Sequence, residues 1–158
     1  MSKTSEHADG QMLTSDMNYV GEGIEGADNT AQTILSKTLA AGTLSSVKDR
    51  IRCRCFWRTT GAAVITGTLT INGVPVASTM VVGAASFQIQ ESWVHYLDAG
   101  RANVIEQIDG KAGPLSGVAI PGFDWAHDQV VAFAQSSAVG NHAVLYALFV
   151  DIFPKGPA

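Results

Sequence analysis

Short stretches of alternating apolar and polar residues recur along the chain from residue 32 onward. The clearest stretch covers residues 50–59, where every second side chain is apolar and most of the others are arginine. A period of two predicts a β-strand that places one set of side chains on each face. Similar patterns predict further strands over residues 32–39, 63–71, 74–82, 86–96, 101–108, 129–135 and 142–153.

Turn signals separate the predicted strands. Asn72-Gly73 lies between two runs rich in β-branched residues, and this dipeptide favours the two-residue turn of a hairpin. Pro75 has no N–H to donate, which predicts that residues 74–79 form an edge strand or pair irregularly at that point. The length of the last predicted strand, residues 143–153, suits a central position with both faces covered. Further turns are predicted at residues 98–100 and 109–110, and a loop with a short strand at 111–122.

No long helical period interrupts these strands. Eight or nine short strands at intervals of about 8–12 residues predict an all-β fold of the sandwich or barrel type. The length of 158 residues favours one domain. Residues 32–158 are the predicted sandwich domain.

The first 31 residues differ from the rest in charge and composition. They contain six acids and one base, a net charge of −5, whereas residues 32–158 carry a net charge of +1. Rich in Gly, Ser, Asp and Thr and without a sustained period, residues 1–31 are predicted to form an extended acidic arm. The arm is expected to lie on a neighbouring chain, and packing on its own domain is the alternative.

Overall composition narrows the function classes. A net charge of −4 and a pI of about 5.4 argue against nucleic-acid binding. The longest apolar run, residues 143–150, is far shorter than the roughly 20 residues that cross a bilayer, and residues 1–20 lack the apolar segment of a signal peptide. Charged residues make up only 15%, against about 25% in an average domain, which predicts a surface that meets other protein.

Four segments, in this order, resemble the jelly-roll domains of tailed-bacteriophage virion proteins. They are residues 38–44 (TLAAGTL), 49–54 (DRIRCR), 69–77 (LTINGVPVA) and 86–90 (SFQIQ), and the likeness covers residues 32–153. The resemblance implies an antiparallel two-sheet jelly-roll sandwich that assembles as a homotrimer. It also implies a virion structural protein, made in the host cytoplasm.

Two functions share this pattern. The first is a capsid decoration, or cement, protein that binds the major capsid protein and neighbouring copies on the capsid surface. The short chain and its acidic arm favour this function. The alternative is a receptor- or glycan-binding module of a tail fibre or tail tip. A small β-sandwich enzyme is a third candidate function, separate from the two that share this pattern.

Partner-binding candidates follow from the charge pattern. Arginines that share one strand face repel one another unless acids neutralise them. The acids of the arm are the expected counterpart, in the same chain, a neighbouring protomer or a capsid subunit, and a solvated surface is the alternative. Trp125, in a loop, is predicted to be an exposed recognition residue, whereas Trp57 and Trp93 are expected to pack in the core. The partner-binding set is Arg50, Arg52, Arg54, Arg58, Glu22, Glu25, Asp28 and Trp125.

Candidates for chemistry are sparse. A metal site needs three or four converging ligands, and the sequence does not bring its candidates together. Ser116 stands one place too late for the G-x-S-x-G motif, and no phosphate-binding glycine motif is present. We therefore predict no enzyme activity and no cofactor. The candidate metal ligands are His95, His127, His142, Asp98, Asp124 and Asp128.

The two cysteines are not expected to form a disulfide, because Cys53 and Cys55 lie about 6.5–7 Å apart along a strand.

Overall fold

The computed structural model describes residues 2–4, 14–81 and 86–153, with side chains over residues 23–81 and 86–153. Within these ranges the chain forms twelve β-strands, and no helix is long and apolar enough to cross a membrane. The strands are β1 (Ser2–Thr4), β2 (Thr14–Glu25), β3 (Ala31–Leu39), β4 (Arg50–Thr59), β5 (Ile65–Ile71), β6 (Val74–Val81), β7 (Phe87–Asp98), β8 (Arg101–Ile108), β9 (Lys111–Ala112), β10 (Val118–Pro121), β11 (Gln129–Ser137) and β12 (Ala143–Phe153).

Two antiparallel sheets form a sandwich. The larger sheet has the order β1-β2-β12-β4-β7-β8-β10, with β9 paired to β8, and the smaller has the order β3-β11-β5-β6. The orders β2-β12-β4-β7 and β3-β11-β5-β6 are the two four-stranded sheets of a jelly roll. The predicted fold class is therefore confirmed, and β8, β9 and β10 widen one of its sheets.

Strand positions follow the sequence pattern closely. Asn72 and Gly73 both have positive φ, 49° and 77°, as a tight hairpin turn requires. β6, which contains Pro75, is an edge strand of the smaller sheet, and β12 lies between β2 and β4, both as predicted. Val82, at the end of one predicted strand, lies outside the described residues.

The core lies between the inner faces of the two sheets. Trp57 of β4 is fully buried, and its ring centroid lies 5.5 Å from that of Phe133 of β11, across the sandwich. The Trp57 Nε1–H donates to Gln90 Oε1 at 2.7 Å, and Gln90 Nε2 donates to the Gly67 carbonyl at 3.1 Å. These bonds satisfy polar groups that would otherwise be costly to bury.

Part of the predicted arm belongs to the larger sheet. β2 pairs with β12 in antiparallel register from Thr14↔Ile152 to Glu25↔Val144. A strand that is apolar on both faces needs backbone partners along both edges, and β2 provides them for the second edge of β12. Residues 14–25 therefore lie on their own chain, and residues 5–13 of the arm lie outside the described residues.

Candidate binding face

The outer face of the larger sheet carries a layer of arginines and aromatic rings. Along β4, buried and half-buried residues alternate without interruption, so Ile51, Cys53 and Cys55 point into the core and the arginines point outward. The four arginines thus share one face, as predicted. We call this surface the arginine–aromatic face; its described members are Arg50, Arg52, Arg54, Phe56 and Arg58 of β4, Phe87, Ile89, Glu91, Trp93 and His95 of β7, and Tyr146, Phe149, Asp151 and Phe153 of β12.

The carboxylate that neutralises two arginines comes from β12. Asp151 is 1% exposed and accepts hydrogen bonds from Arg52 Nε at 2.9 Å, Arg52 Nη2 at 2.7 Å and Arg54 Nη2 at 3.2 Å. The register places Asp151 opposite Arg52, on the neighbouring strand. Within the described residues of this chain, the acid that pairs with Arg52 and Arg54 is Asp151 and not an acid of the predicted arm, because β12 lies between β2 and β4 in the sheet.

The acids assigned to the arm have other positions. Glu25 is exposed at the end of β2, and Asp28 Oδ1 lies 2.7 Å from Nδ1 of His142. The side chain of Glu22 lies outside the described residues, although its backbone belongs to β2. Among the described side chains, neither Glu25 nor Asp28 forms an ion pair with an arginine.

Three arginines also lie over aromatic rings of the same face. The guanidinium carbon of Arg50 is 5.3 Å from the ring centroid of Phe153, and that of Arg54 is 4.9 Å from the ring of Phe149. Arg52 lies 5.3 Å from the ring of Trp93. Each such contact contributes about 0.5–1 kcal/mol at an exposed position and holds the guanidinium close to the sheet.

The prediction that Trp93 packs in the core is wrong. Its side chain is half-buried on the outer face, where Nε1 donates to Glu91 Oε1 at 2.8 Å. The alternation along β7 places Gln90 and Ser92 inward, both fully buried, and Gln90 is held there by Trp57. The sequence pattern correctly assigned alternate residues of β7 to opposite faces of the sheet. The face that carries Gln90 and Ser92, however, is the one that points into the core.

A groove lies at one end of the arginine–aromatic face. It encloses about 330 Å³ and is lined by Phe56, Phe87, Tyr146, Ala147 and Phe149. Phe87 is 57% exposed and stacks on Tyr146 with ring centroids 5.4 Å apart, while Phe56 meets Phe149 edge to face at 5.5 Å.

Arg58 stands at the rim of the groove. Its Nε donates to Tyr146 Oη at 2.6 Å. The pairing of β12 with β4 and with β2 shifts between Leu145 and Ala147, at Tyr146, which is the signature of a β-bulge. Bulges of this kind change the direction of a side chain, and sequence alone does not show one here. The sequence therefore contains no signal that Phe56, Phe87, Tyr146 and Phe149 line one groove.

Trp125 is not an exposed recognition residue. Its side chain is 2% exposed and stacks on Phe123 with ring centroids 4.9 Å apart. The loop is held at the end of the sandwich by backbone bonds from Trp125 N to Ala99 O at 3.0 Å and from Gly42 N to Trp125 O at 2.8 Å. A loop position suggested exposure, but these bonds fold the ring inward.

The histidines considered for metal binding lie apart from one another. His127 is exposed, and a hydrogen bond with Asp124 at 2.8 Å raises its pKa. Partial burial, with the charge of Arg50 adding to it, lowers the pKa of His95. In the part of the chain that the structure describes, no three His, Cys, Asp or Glu side chains converge as metal ligands would.

The two cysteines are free thiols in the core. Burial raises the pKa of Cys53 to about 12, with the charge of Asp151 adding to the effect. Burial also raises the pKa of Cys55. Protonated, buried thiols react slowly, which makes both cysteines packing residues.

The outer face of the smaller sheet differs sharply from the arginine–aromatic face. Its residues are small or aliphatic, and none of those named here carries a charge or an aromatic ring. Thr68 Oγ1 and Ser78 Oγ lie 3.3 Å apart near its centre. We call it the uncharged face; its members are Thr33, Ser36 and Thr38 of β3, Val130, Ala132, Ala134 and Ser136 of β11, Thr66, Thr68 and Thr70 of β5, and Ser78 and Met80 of β6.

Comparison with known proteins adds little beyond the fold. No protein-family model and no curated protein matches the chain. Among solved structures, a carbohydrate-binding module, CBM36, in complex with calcium and xylotriose is similar to this chain. The TM-score is 0.38 and the sequence identity 14%, over 87% of this chain and 98% of that one.

Proposed function

We propose that this protein is a binding module that recognises a glycan at the groove of the arginine–aromatic face. The observation that carries the proposal is a groove walled by four aromatic rings, one of which, Phe87, is more than half exposed. The C–H groups of a pyranose ring carry partial positive charge and pack on the electron-rich faces of aromatic rings. At the rim, Arg58 and the Tyr146 hydroxyl provide polar groups that suit sugar hydroxyls.

The dimensions of the groove favour a small or narrow ligand. Its volume of about 330 Å³ is at the lower end of the roughly 300–1,000 Å³ typical of small-molecule pockets. A folded protein partner needs about 800 Å² of surface on each side. One or two sugar units of a glycan chain match the groove, with the rest of the chain extending along the sheet.

The groove supports binding rather than bond cleavage. Its five lining residues are three phenylalanines, a tyrosine and an alanine. Glycosidic bond cleavage generally uses a pair of carboxylates about 5–10 Å apart, and the lining contains none. A module that holds a glycan without changing it is the function that this chemistry fits.

Substitution of Phe87 by alanine tests the proposal. We expect at least an approximately tenfold loss of affinity for the glycan that the wild-type protein retains, because the most exposed ring of the groove is removed. A glycan array of neutral and acidic oligosaccharides identifies the ligand, and titration calorimetry measures the affinity. Met80→Ala, which removes an apolar side chain that is also more than half exposed from the uncharged face, is the matched control. Unchanged affinity in Phe87→Ala, or no glycan bound by the wild-type protein, contradicts the proposal.

A second candidate is the decoration of a virus capsid. The observation that favours it is the uncharged face, because the centres of protein interfaces are depleted of charged residues. The partners would then be the major capsid protein and neighbouring copies in a homotrimer, on the surface of the virion. A partner that binds only the assembled shell stabilises the shell by mass action.

A further inference from the structure

We propose that the groove selects an acidic sugar, a glycan that carries a uronate carboxylate, and that Arg58 binds this carboxylate. The inference rests on the proposed glycan-binding function and assigns the chemical class of its ligand. It starts from a difference among the four arginines of the arginine–aromatic face.

Arg58 differs from Arg52 and Arg54 in its charge balance. Arg52 and Arg54 share the buried carboxylate of Asp151. For Arg58, by contrast, the hydrogen bond within the described residues goes to the neutral hydroxyl of Tyr146. Glu25 is the described acid in the same row of the sheet, but Val144 stands between it and Arg58. Two strand spacings, about 9–10 Å, therefore separate the two backbones.

The hydrogen bond to Tyr146 prepares the Arg58 guanidinium for a carboxylate. Bonding through Nε fixes the plane of the fork and leaves the two terminal nitrogens as donors. A carboxylate accepts two parallel N–H bonds from such a fork, and a planar, oriented guanidinium loses little entropy when it binds.

The exposed ring and the guanidinium are direct neighbours across the sheet. Phe87 of β7 pairs in register with Arg58 of β4. Side chains that face each other across an antiparallel pair begin about 4.5–5.5 Å apart. The carboxylate of a uronic acid projects from the edge of its pyranose ring. A ring that packs on Phe87 with this edge toward β4 places the carboxylate beside Arg58.

A generally polyanionic ligand fits the face less well. The two arginines that share Asp151 are already neutralised in part, and they lie over Trp93 and Phe149. One oriented guanidinium beside an exposed ring matches one carboxylate on one sugar ring. The geometry points to a stacked uronate unit rather than to a run of sulfates or phosphates.

The test compares uronate oligosaccharides with their methyl esters, which keep the rings and linkages and lose the charge. Tetrasaccharides of galacturonate, guluronate and glucuronate-containing chains are each titrated as the acid and as the ester. We expect the wild-type protein to bind at least one acid about tenfold more tightly than its ester. Arg58→Gln should abolish this preference, and Arg58→Lys should retain only part of it because the fork is lost.

Arg101→Gln is the matched control, since Arg101 lies on β8, outside the arginine–aromatic face, and forms its own ion pair with Asp98 at 2.7 Å. It should leave the preference for the acid unchanged. If the wild-type protein binds esters or neutral glycans as tightly as acids, or if Arg58→Gln keeps the preference, the inference is overturned while glycan binding stands. If no glycan binds at all, the proposed function itself fails.

Discussion

Gly67 of β5 faces the ring of Trp57 across the core. A Cβ atom at this position would overlap Cζ2 of Trp57 and would lie 3.0 Å from Cζ of Phe133. Both rings are fully buried, and Trp57 is also tied to Gln90 by a hydrogen bond. The large ring of Trp57 thus requires a residue without a side chain on the facing strand.

Substitution of Gly67 by alanine should therefore destabilise the protein. We expect a loss of about 1–3 kcal/mol in the free energy of unfolding, because an extra methyl group forces rigid aromatic rings to move. Urea unfolding followed by tryptophan fluorescence measures the loss. Gly100→Ala is the control, since the atom nearest to its added Cβ, the Phe123 carbonyl oxygen, lies at an ordinary 3.7 Å. Equal stability of the two variants would contradict this prediction, since it would show that the Trp57 and Phe133 rings shift to accept the methyl group without loss.

At the scale of elements, β2 covers the second edge of β12 in the larger sheet. Its eight register pairs with β12 cover one edge of a strand that is buried for most of its length. β1, by contrast, adds three register pairs to β2. The acidic composition of residues 1–31 obscured this role, because a charged, glycine-rich stretch resembles a linker more than a strand.

Deletion of residues 1–25 should destabilise the sandwich and favour aggregation. The lost sheet bonds, at about 1 kcal/mol each, predict a decrease of at least about 3 kcal/mol in the free energy of unfolding, and the exposed edge of β12 invites pairing between chains. Urea unfolding and size-exclusion chromatography measure the two effects. Deletion of residues 1–4, which removes β1 alone, is the control. A Δ1–25 protein as stable and monodisperse as Δ1–4 would argue that residues 14–25 act as an arm rather than as a sheet strand.

At the scale of the whole molecule, the sandwich has two outer faces of opposite chemistry. The arginine–aromatic face has charge, rings and a groove, whereas the uncharged face is built from small side chains. The low overall content of charged residues arises in part from the second face. Each proposed function uses a different face, so a substitution on one should leave the other intact.

A lysine at the centre of the uncharged face separates the two functions. We expect Thr68→Lys to abolish co-sedimentation with assembled capsid shells, because an unpaired charge would be buried at the interface, while glycan affinity and melting temperature stay unchanged. Val139→Lys, at a 75% exposed position outside this face, should co-sediment like the wild-type protein. Co-sedimentation of Thr68→Lys at the wild-type level would count against capsid binding through this face.

From residue 32 onward, the sequence alone determined the strands, their turns and the two sets of side chains on each strand, because these depend on local backbone geometry and a period of two. Thus the turn at Asn72-Gly73 and the shared face of the four arginines were predictable. The tertiary structure alone decided which set of β7 faces the core, which carboxylate neutralises Arg52, and that Trp125 is buried. These outcomes depend on strand order, register and loop docking between residues far apart in the chain. The groove at Phe87 and Tyr146 belongs to the same class, since it joins residues 59 positions apart in the sequence.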